Sequence, residues 1–207
     1  HINIYKKMED VEIVAGADLV PGKAEAFFKK FGVEGAKCYG SHKEMLADKD
    51  LKLDGVSICT YNMTHAECTI DCLDAGVNVL LEKPMCVTTE EAVEIMRAEK
   101  KSGRTLMVGQ VSRFAPAFAK AKKMIDDGLI GELFFVESEY AHDYSYMGAS
   151  WRLDPVKLRH GVIGGGCHCI DLLRWIAGNP EKVMALANKK LNPATETIFL
   201  TTKAENM

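Results

Sequence analysis

The stretch that decides the fold is VSICTYNMTHAECTIDCLDAGVNVLLEKP, residues 56–84. It opens on an apolar run of strand length and passes into "THAECTIDCLDAG", a helical segment closed by Gly76. It ends on a second apolar run, "VNVLL". Strand, helix and strand joined this tightly predict a parallel βαβ unit. The second run then delivers Glu82, Lys83 and Pro84 side by side, a carboxylate, an amine and a helix-breaking ring.

The same rhythm extends on both sides. Upstream, "VEIVAGAD" (11–18) predicts a short buried strand and "PGKAEAFFKKFG" a helix with Ala24, Phe27, Phe28 and Phe31 on one face. "AKCYG" is a weaker strand, and Ser41 with Glu44 forms a capping box that opens a helix through "KEMLAD". Downstream, Thr88 and Glu91 form a second capping box, starting a helix that ends near Gly103 before the strand "RTLMVGQ". Five strands alternating with helices predict an α/β fold, a Rossmann-type parallel sheet covered on both faces.

After Gln110 the pattern changes. A helix from Pro116 to Gly128 leads to the alternating segment "ELFFVESEY", which predicts a strand with one polar face. A loop carrying Trp151, Arg152 and Asp154 follows, then a helix around "CIDLLRWIAG" and the strands "KVMALAN" and "ETIFLTT". This predicts a dinucleotide-binding domain over 1–110. A smaller α+β domain with a largely antiparallel open sheet is expected over 111–207.

Composition narrows the function. The 207 residues carry 26 basic and 29 acidic side chains, a formal net charge of −3. No basic run stands out, so neither nucleic acid nor an anionic membrane is the expected partner. No apolar stretch reaches the roughly 18 residues of a spanning helix. Seven cysteines, an odd number mostly within apolar segments, fit reduced thiols and predict a cytoplasmic protein. "CHC" (167–169) invites a metal reading. However, ligands one residue apart point to different sides of a helix and no second pair completes a site, so no metal is expected.

A dinucleotide-binding sheet ordinarily carries a G-x-G-x-x-G loop, and this sequence has none; its one glycine cluster, "GVIGGGCHC", lies in the second half with other spacing. Asp18, at the tip of its strand, matches the acid that accepts hydrogen bonds from the adenine ribose. A turn-forming or helix-capping aspartate explains it equally well.

The conjunction of short motifs is more specific. Thr60, Asn62 and His65 after one strand, Glu82-Lys83-Pro84 after the next, and Arg113-Phe114 after the last resemble the glucose–fructose oxidoreductase, inositol dehydrogenase and rhizopine-catabolism family, Gfo/Idh/MocA. The resemblance covers almost the whole chain. It implies that His1 follows the family's glycine-rich loop, placing the last motif glycine about 20 residues before Asp18. The first strand and phosphate loop would then precede His1, and several strands would follow Met207. A chain beginning at His1 is expected to leave two inner sheet edges unpaired and to bind nicotinamide cofactor poorly or not at all.

What the resemblance implies for chemistry is concrete. Lys83 and His168 are the expected catalytic residues. A cation at a parallel strand's carboxyl end stabilises alkoxide character as hydride leaves, and an imidazole takes the hydroxyl proton. Asp18, Thr60, Asn62, His65, Glu82, Lys83 and Gln110 are expected to bind cofactor, with Glu82 also orienting the Lys83 amine. Arg113, Trp151, Arg152 and Asp171 are expected to face substrate, with Asp171 and Arg174 in one stripe with His168. NAD is expected over NADP, because Asp18 would repel a 2′-phosphate and neither Leu19 nor Val20 can receive one. One departure stands out: the family aspartate four residues before the histidine is replaced by Gly164, and Asp171 or Asp154 are the candidates to substitute. The expected activity is hydride transfer between NAD and a sugar, polyol or related hydroxylated small molecule, in a homo-oligomeric dimer or tetramer. An NAD-dependent glycoside hydrolase of the same fold and a non-catalytic dinucleotide-binding sensor are the alternatives that Gly164 keeps open.

Overall fold

The computed structural model describes residues 1–141, 161–188 and 197–203. The chain folds into two compact units, one of His1–Cys59, His65–Leu81 and Glu90–Met107, the other of Thr60–Thr64, Glu82–Thr89 and Val108–Met207. No helix among the described residues is long and apolar enough to cross a membrane.

In the first unit a short helix α1 (Ile2–Tyr5) precedes strand β1 (Ala15–Ala17), helix α2 (Lys23–Phe31), strand β2 (Lys37–Tyr39) and helix α3 (His42–Ala47). β1 pairs in parallel with β2, Gly16 opposite Cys38. Helix α2 lies so close to this pair that a Cβ on Gly16 would stand 2.6 Å from the Phe28 ring, which leaves glycine as the side chain that fits. The helix stops at Gly32, whose left-handed φ of 60° lets Val33 donate back to the Phe28 carbonyl. The Ser41 box forms with a shift: Ser41 Oγ accepts the Glu44 N–H at 3.1 Å, while the Glu44 carboxylate accepts the N–H of Gly40.

β3 (Gly55–Ile58), α4 (His65–Asp74), β4 (Asn78–Leu81), α5 (Thr89–Ser102) and β5 (Leu106–Val108) follow in chain order. β3 and β4 are parallel, and the three strands run β3-β4-β5 across their sheet. The predicted parallel strands therefore all form, in two groups, and β1 and β3 each pair with a described strand on one side only. Leu73, Leu81 and Ile95, from α4, β4 and α5, are fully buried, with Val77, Val79 and Ile58 around them. Each such side chain contributes about 1.5–3 kcal/mol of burial free energy, and this core fixes the end of β4.

In the second unit a 3₁₀ turn (Val111–Phe114) precedes α6 (Pro116–Asp126). A π-helical turn (Val162–Gly166) runs straight into α7 (Cys167–Ala177), and β6 (Lys182–Asn188) pairs antiparallel with β7 (Thr197–Lys203). One expectation fails. Residues 132–140 form no strand, and Phe134 is 84% exposed. Alternation makes a segment compatible with a sheet face, but a strand exists only through ladder bonds, and no described strand supplies them here.

Candidate active site

β4 delivers the Glu-Lys-Pro segment, and the structure corrects the role expected for its carboxylate. Glu82 Oε2 accepts the backbone N–H of Lys83 at 3.2 Å. The Lys83 ammonium instead donates to the carbonyl of Gly164 at 3.1 Å. Pro84 is buried and joined to Lys83 by a cis peptide bond.

Gly164 belongs to the π-helical turn, where backbone bonds run to the fifth residue rather than the fourth. Both Gly164 and Gly165 are buried, and the absence of side chains lets a neighbour's amine reach the backbone. One turn further on, in the first turn of α7, stands His168. Its Nδ1 lies 3.4 Å from Ser112 Oγ of the 3₁₀ turn, and its ring lies beside that of Tyr140, centroids 5.7 Å apart. Lysine and histidine are thus both anchored on one helical segment.

Arg113, the residue after Ser112, and Asp171, three residues after His168 on α7, form a bidentate pair. Arg113 Nε and Nη2 donate to Asp171 Oδ2 and Oδ1 at 2.7 and 2.6 Å. The guanidinium lies over the Trp175 ring, 5.7 Å from its centroid, and the Asp171 hydrogen bond holds its pKa above the ordinary arginine value. Both carboxylate oxygens are engaged, so Asp171 is not placed to replace the carboxylate missing at Gly164. Arg174 turns away to Asn179 Oδ1, at 3.0 and 2.8 Å. The expected polar stripe is therefore divided among separate partners. Trp151, Arg152 and Asp154 lie outside the described residues.

Two of the expected cofactor residues carry a direct structural signal. Asn62, in the 3₁₀ turn Asn62–Thr64, is buried with its Nδ2 lacking any partner among the described residues. Gln110 Oε1, just after β5, is likewise buried and unpartnered. Buried polar atoms are nearly always satisfied, so one orphan donor and one orphan acceptor after the strands fit a polar ligand such as a dinucleotide. Thr60 is exposed, whereas His65, the first residue of α4, is only 1% exposed.

Asp18 directly follows β1 and accepts the Val20 N–H at 2.9 Å; its other oxygen meets Lys23 Nζ at 2.8 Å. Burial raises its pKa, but the Lys23 and Val20 hydrogen bonds outweigh that and hold it below the usual carboxylate value. Lys23 escaped the sequence reading because it lies five positions on, in the first turn of α2. His1 Nδ1 meets Ser57 Oγ of β3 at 2.7 Å.

For metals, the Cys169 thiol donates to the Gly166 carbonyl at 3.0 Å. A different cluster, His42, Glu67 and Asp71, brings three potential ligand atoms within 4.8 Å of one another. Glu67 and Asp71 share a face of α4 by their spacing, but His42 joins from α3, 29 residues before Asp71, which no local pattern reveals. Lys43 bonds Glu67 at 2.6 Å and lies 3.7 Å from Asp71, so both carboxylates already belong to an ion-pair network.

Comparison with known proteins identifies the family. Residues 1–110 match the GFO/IDH/MocA oxidoreductase family, NAD-binding Rossmann fold, and residues 118–205 match the GFO/IDH/MocA C-terminal domain. Inositol 2-dehydrogenase of Salmonella typhimurium is 30% identical over 175 residues, covering 84% of this chain and 49% of that protein. Trans-1,2-dihydrobenzene-1,2-diol dehydrogenase of Mus musculus is 33% identical over 178 residues, covering 85% and 51%. The chain thus spans about half the length of the curated relatives it matches. The crystal structure of myo-inositol 2-dehydrogenase from Lactobacillus plantarum superposes with a TM-score of 0.82 at 22% identity, covering 96% of this chain and 64% of that one. Apo scyllo-inositol dehydrogenase from Lactobacillus casei gives 0.79 at 25% identity, covering 93% and 55%. With its Rossmann half matched over 110 residues, the chain belongs to the GFO/IDH/MocA oxidoreductase family.

Proposed function

We propose that this chain carries the catalytic residues of an NAD-dependent oxidoreductase acting on CH–OH groups of a polyol, sugar or related hydroxylated molecule. The observation that carries the reading is the joint anchoring of Lys83 and His168. The lysine ammonium is held on Gly164 O, one helical turn before the histidine. A cation and an imidazole so tethered can address one hydroxyl: Lys83 stabilises negative charge on its oxygen, and His168 takes its proton at Nε2. Bound NAD supplies the hydride acceptor. Asp18 would hold the adenine ribose, and Asn62 Nδ2 and Gln110 Oε1 would gain the partners they lack; Thr60, His65 and Glu82 are each proposed as cofactor contacts. Trp151 and Arg152 are proposed to face substrate, while Arg113 and Asp171 would act there as a pair.

The domain division 1–110 and 111–207 is part of this proposal, supported by the separate family matches to 1–110 and 118–205. So are a cytoplasmic location, supported by seven cysteines outside any disulfide, and assembly into homo-oligomers.

The test is net NADH formation by the full-length protein with a panel of inositols, aldoses and dihydrodiols. The reading requires at least one to reduce NAD, with activity lost in Lys83→Met and His168→Ala. Release of a glycosidic leaving group without net NADH would select the hydrolase instead, and dinucleotide binding with neither would select the sensor. Gly164, where the family pattern has aspartate, is the feature that favours those rivals.

A further inference from the structure

Resting on that reading of His168, we propose that Ser112 is its positioning residue, a neutral hydroxyl doing the orienting work that the family pattern assigns to a carboxylate at position 164. The geometry that points to it is a double tether. Ser112 Oγ lies 3.4 Å from His168 Nδ1, and the adjacent Arg113 clamps Asp171, three residues further along α7, with two short hydrogen bonds. The bidentate pair fixes how the 3₁₀ turn lies along α7, and so holds the serine opposite the imidazole. The 3.4 Å separation is longer than an ideal hydrogen bond, as catalytic contacts often are before substrate binds.

Among the described residues, the other candidates for the role are already committed. Position 164 has no side chain, and its carbonyl accepts from Lys83. Asp171 has both oxygens on Arg113.

A hydroxyl and a carboxylate orient a histidine differently. Either accepts a hydrogen bond from Nδ1–H, which leaves the Nε2 lone pair as the base. Only the carboxylate adds a charge that stabilises the imidazolium. Ser112 therefore sets the tautomer without adding negative charge. Likewise, the Gly164 carbonyl orients Lys83 without cancelling its positive charge.

The experiment is ¹⁵N NMR of the His168 ring in the full-length protein, with Ser112→Ala and Ser112→Thr. The neutral wild-type ring should carry its proton on Nδ1. Ser112→Ala should shift the ratio of Nδ1–H to Nε2–H about five- to tenfold toward Nε2–H, the loss expected for one neutral hydrogen bond. Ser112→Thr, which keeps the hydroxyl, should restore it. An Nε2–H wild-type ring overturns the proposal even should the alanine variant fail to fold, and so does an unchanged ratio in a folded Ser112→Ala. If the ratio shifts as expected but no hydroxylated substrate reduces NAD, positioning stands and the dehydrogenase reading falls. If a substrate is oxidised and Ser112→Ala lowers kcat about five- to tenfold at unchanged KM, both stand.

Discussion

Arg113 grips Asp171 through two parallel hydrogen bonds, and the two partners are unequally shielded. The arginine side chain is 40% exposed and the aspartate 13%. Removing either breaks the same bonds but leaves different remnants. Arg113→Ala strands a largely buried carboxylate and should cost about 2–3 kcal/mol. Asp171→Ala leaves a guanidinium that can turn toward water, and should cost about half as much. Arg113→Lys cannot rebuild the fork and should fall between them. Urea unfolding of the three variants checks the order; equal losses from the two alanine variants would falsify the asymmetry.

Lys23 changes what Asp18 is expected to do for cofactor choice. The carboxylate disfavours a 2′-phosphate, but it also neutralises an ammonium 2.8 Å away. Asp18→Ala removes the repulsion and releases the cation together. The NADP-to-NAD affinity ratio should rise by about tenfold or more, in line with a charge-assisted hydrogen bond worth about 1.5–3 kcal/mol. Asp18→Ala/Lys23→Ala should return most of that gain. A double variant with the full gain would show that Lys23 takes no part.

The two halves of the chain were unequally legible, and the reason is sequence distance. Gly32, Gly76, Ser41 and the Glu-Lys-Pro strand end act within a few residues, so their patterns survive in the linear sequence. The site's own bonds do not: Ser112 to His168 spans 56 residues, Arg113 to Asp171 spans 58 and Lys83 to Gly164 spans 81. Motifs placed Lys83 and His168 as candidates, but only the fold shows that a glycine carbonyl, not Glu82, receives the ammonium. Segment 132–140 shows the opposite error. Its alternation is real, yet a strand needs a ladder partner, and the pattern alone could not show that no described strand provides one.

The cysteines should separate by reactivity. Cys72 is fully buried on α4, and burial, followed by the neighbouring Cys68 and Asp71, pushes its thiol pKa up to about 12. Cys59, after β3, is exposed. Thiolate is the reactive form. At pH 8, a disulfide reagent should label Cys59 within the fast phase and reach Cys72 only after denaturant is added. Peptide mapping of partially labelled protein tests this; early labelling of Cys72 would mean that α4 opens readily.

The last prediction concerns acid stability. Asp48, at the end of α3, accepts from Lys37 Nζ at 2.8 Å, from Tyr39 Oη at 2.5 Å and, through its other oxygen, from the Asp50 N–H at 2.9 Å. The Lys37 and Tyr39 hydrogen bonds lower its pKa from 3.8 to about 2. Because the folded value lies below the unfolded one, the folded state binds the proton less tightly, and the charged form is the stabilising one. Its contribution is therefore complete above about pH 4 and is lost as pH falls through about 2. Asp48→Asn should lower the Tm at pH 5 to 7, and its deficit relative to wild type should shrink across pH 4 to 2. Thermal melts of both proteins over that range decide the matter: a deficit independent of pH would show that the carboxylate's charge is not what ties β2 to the end of α3.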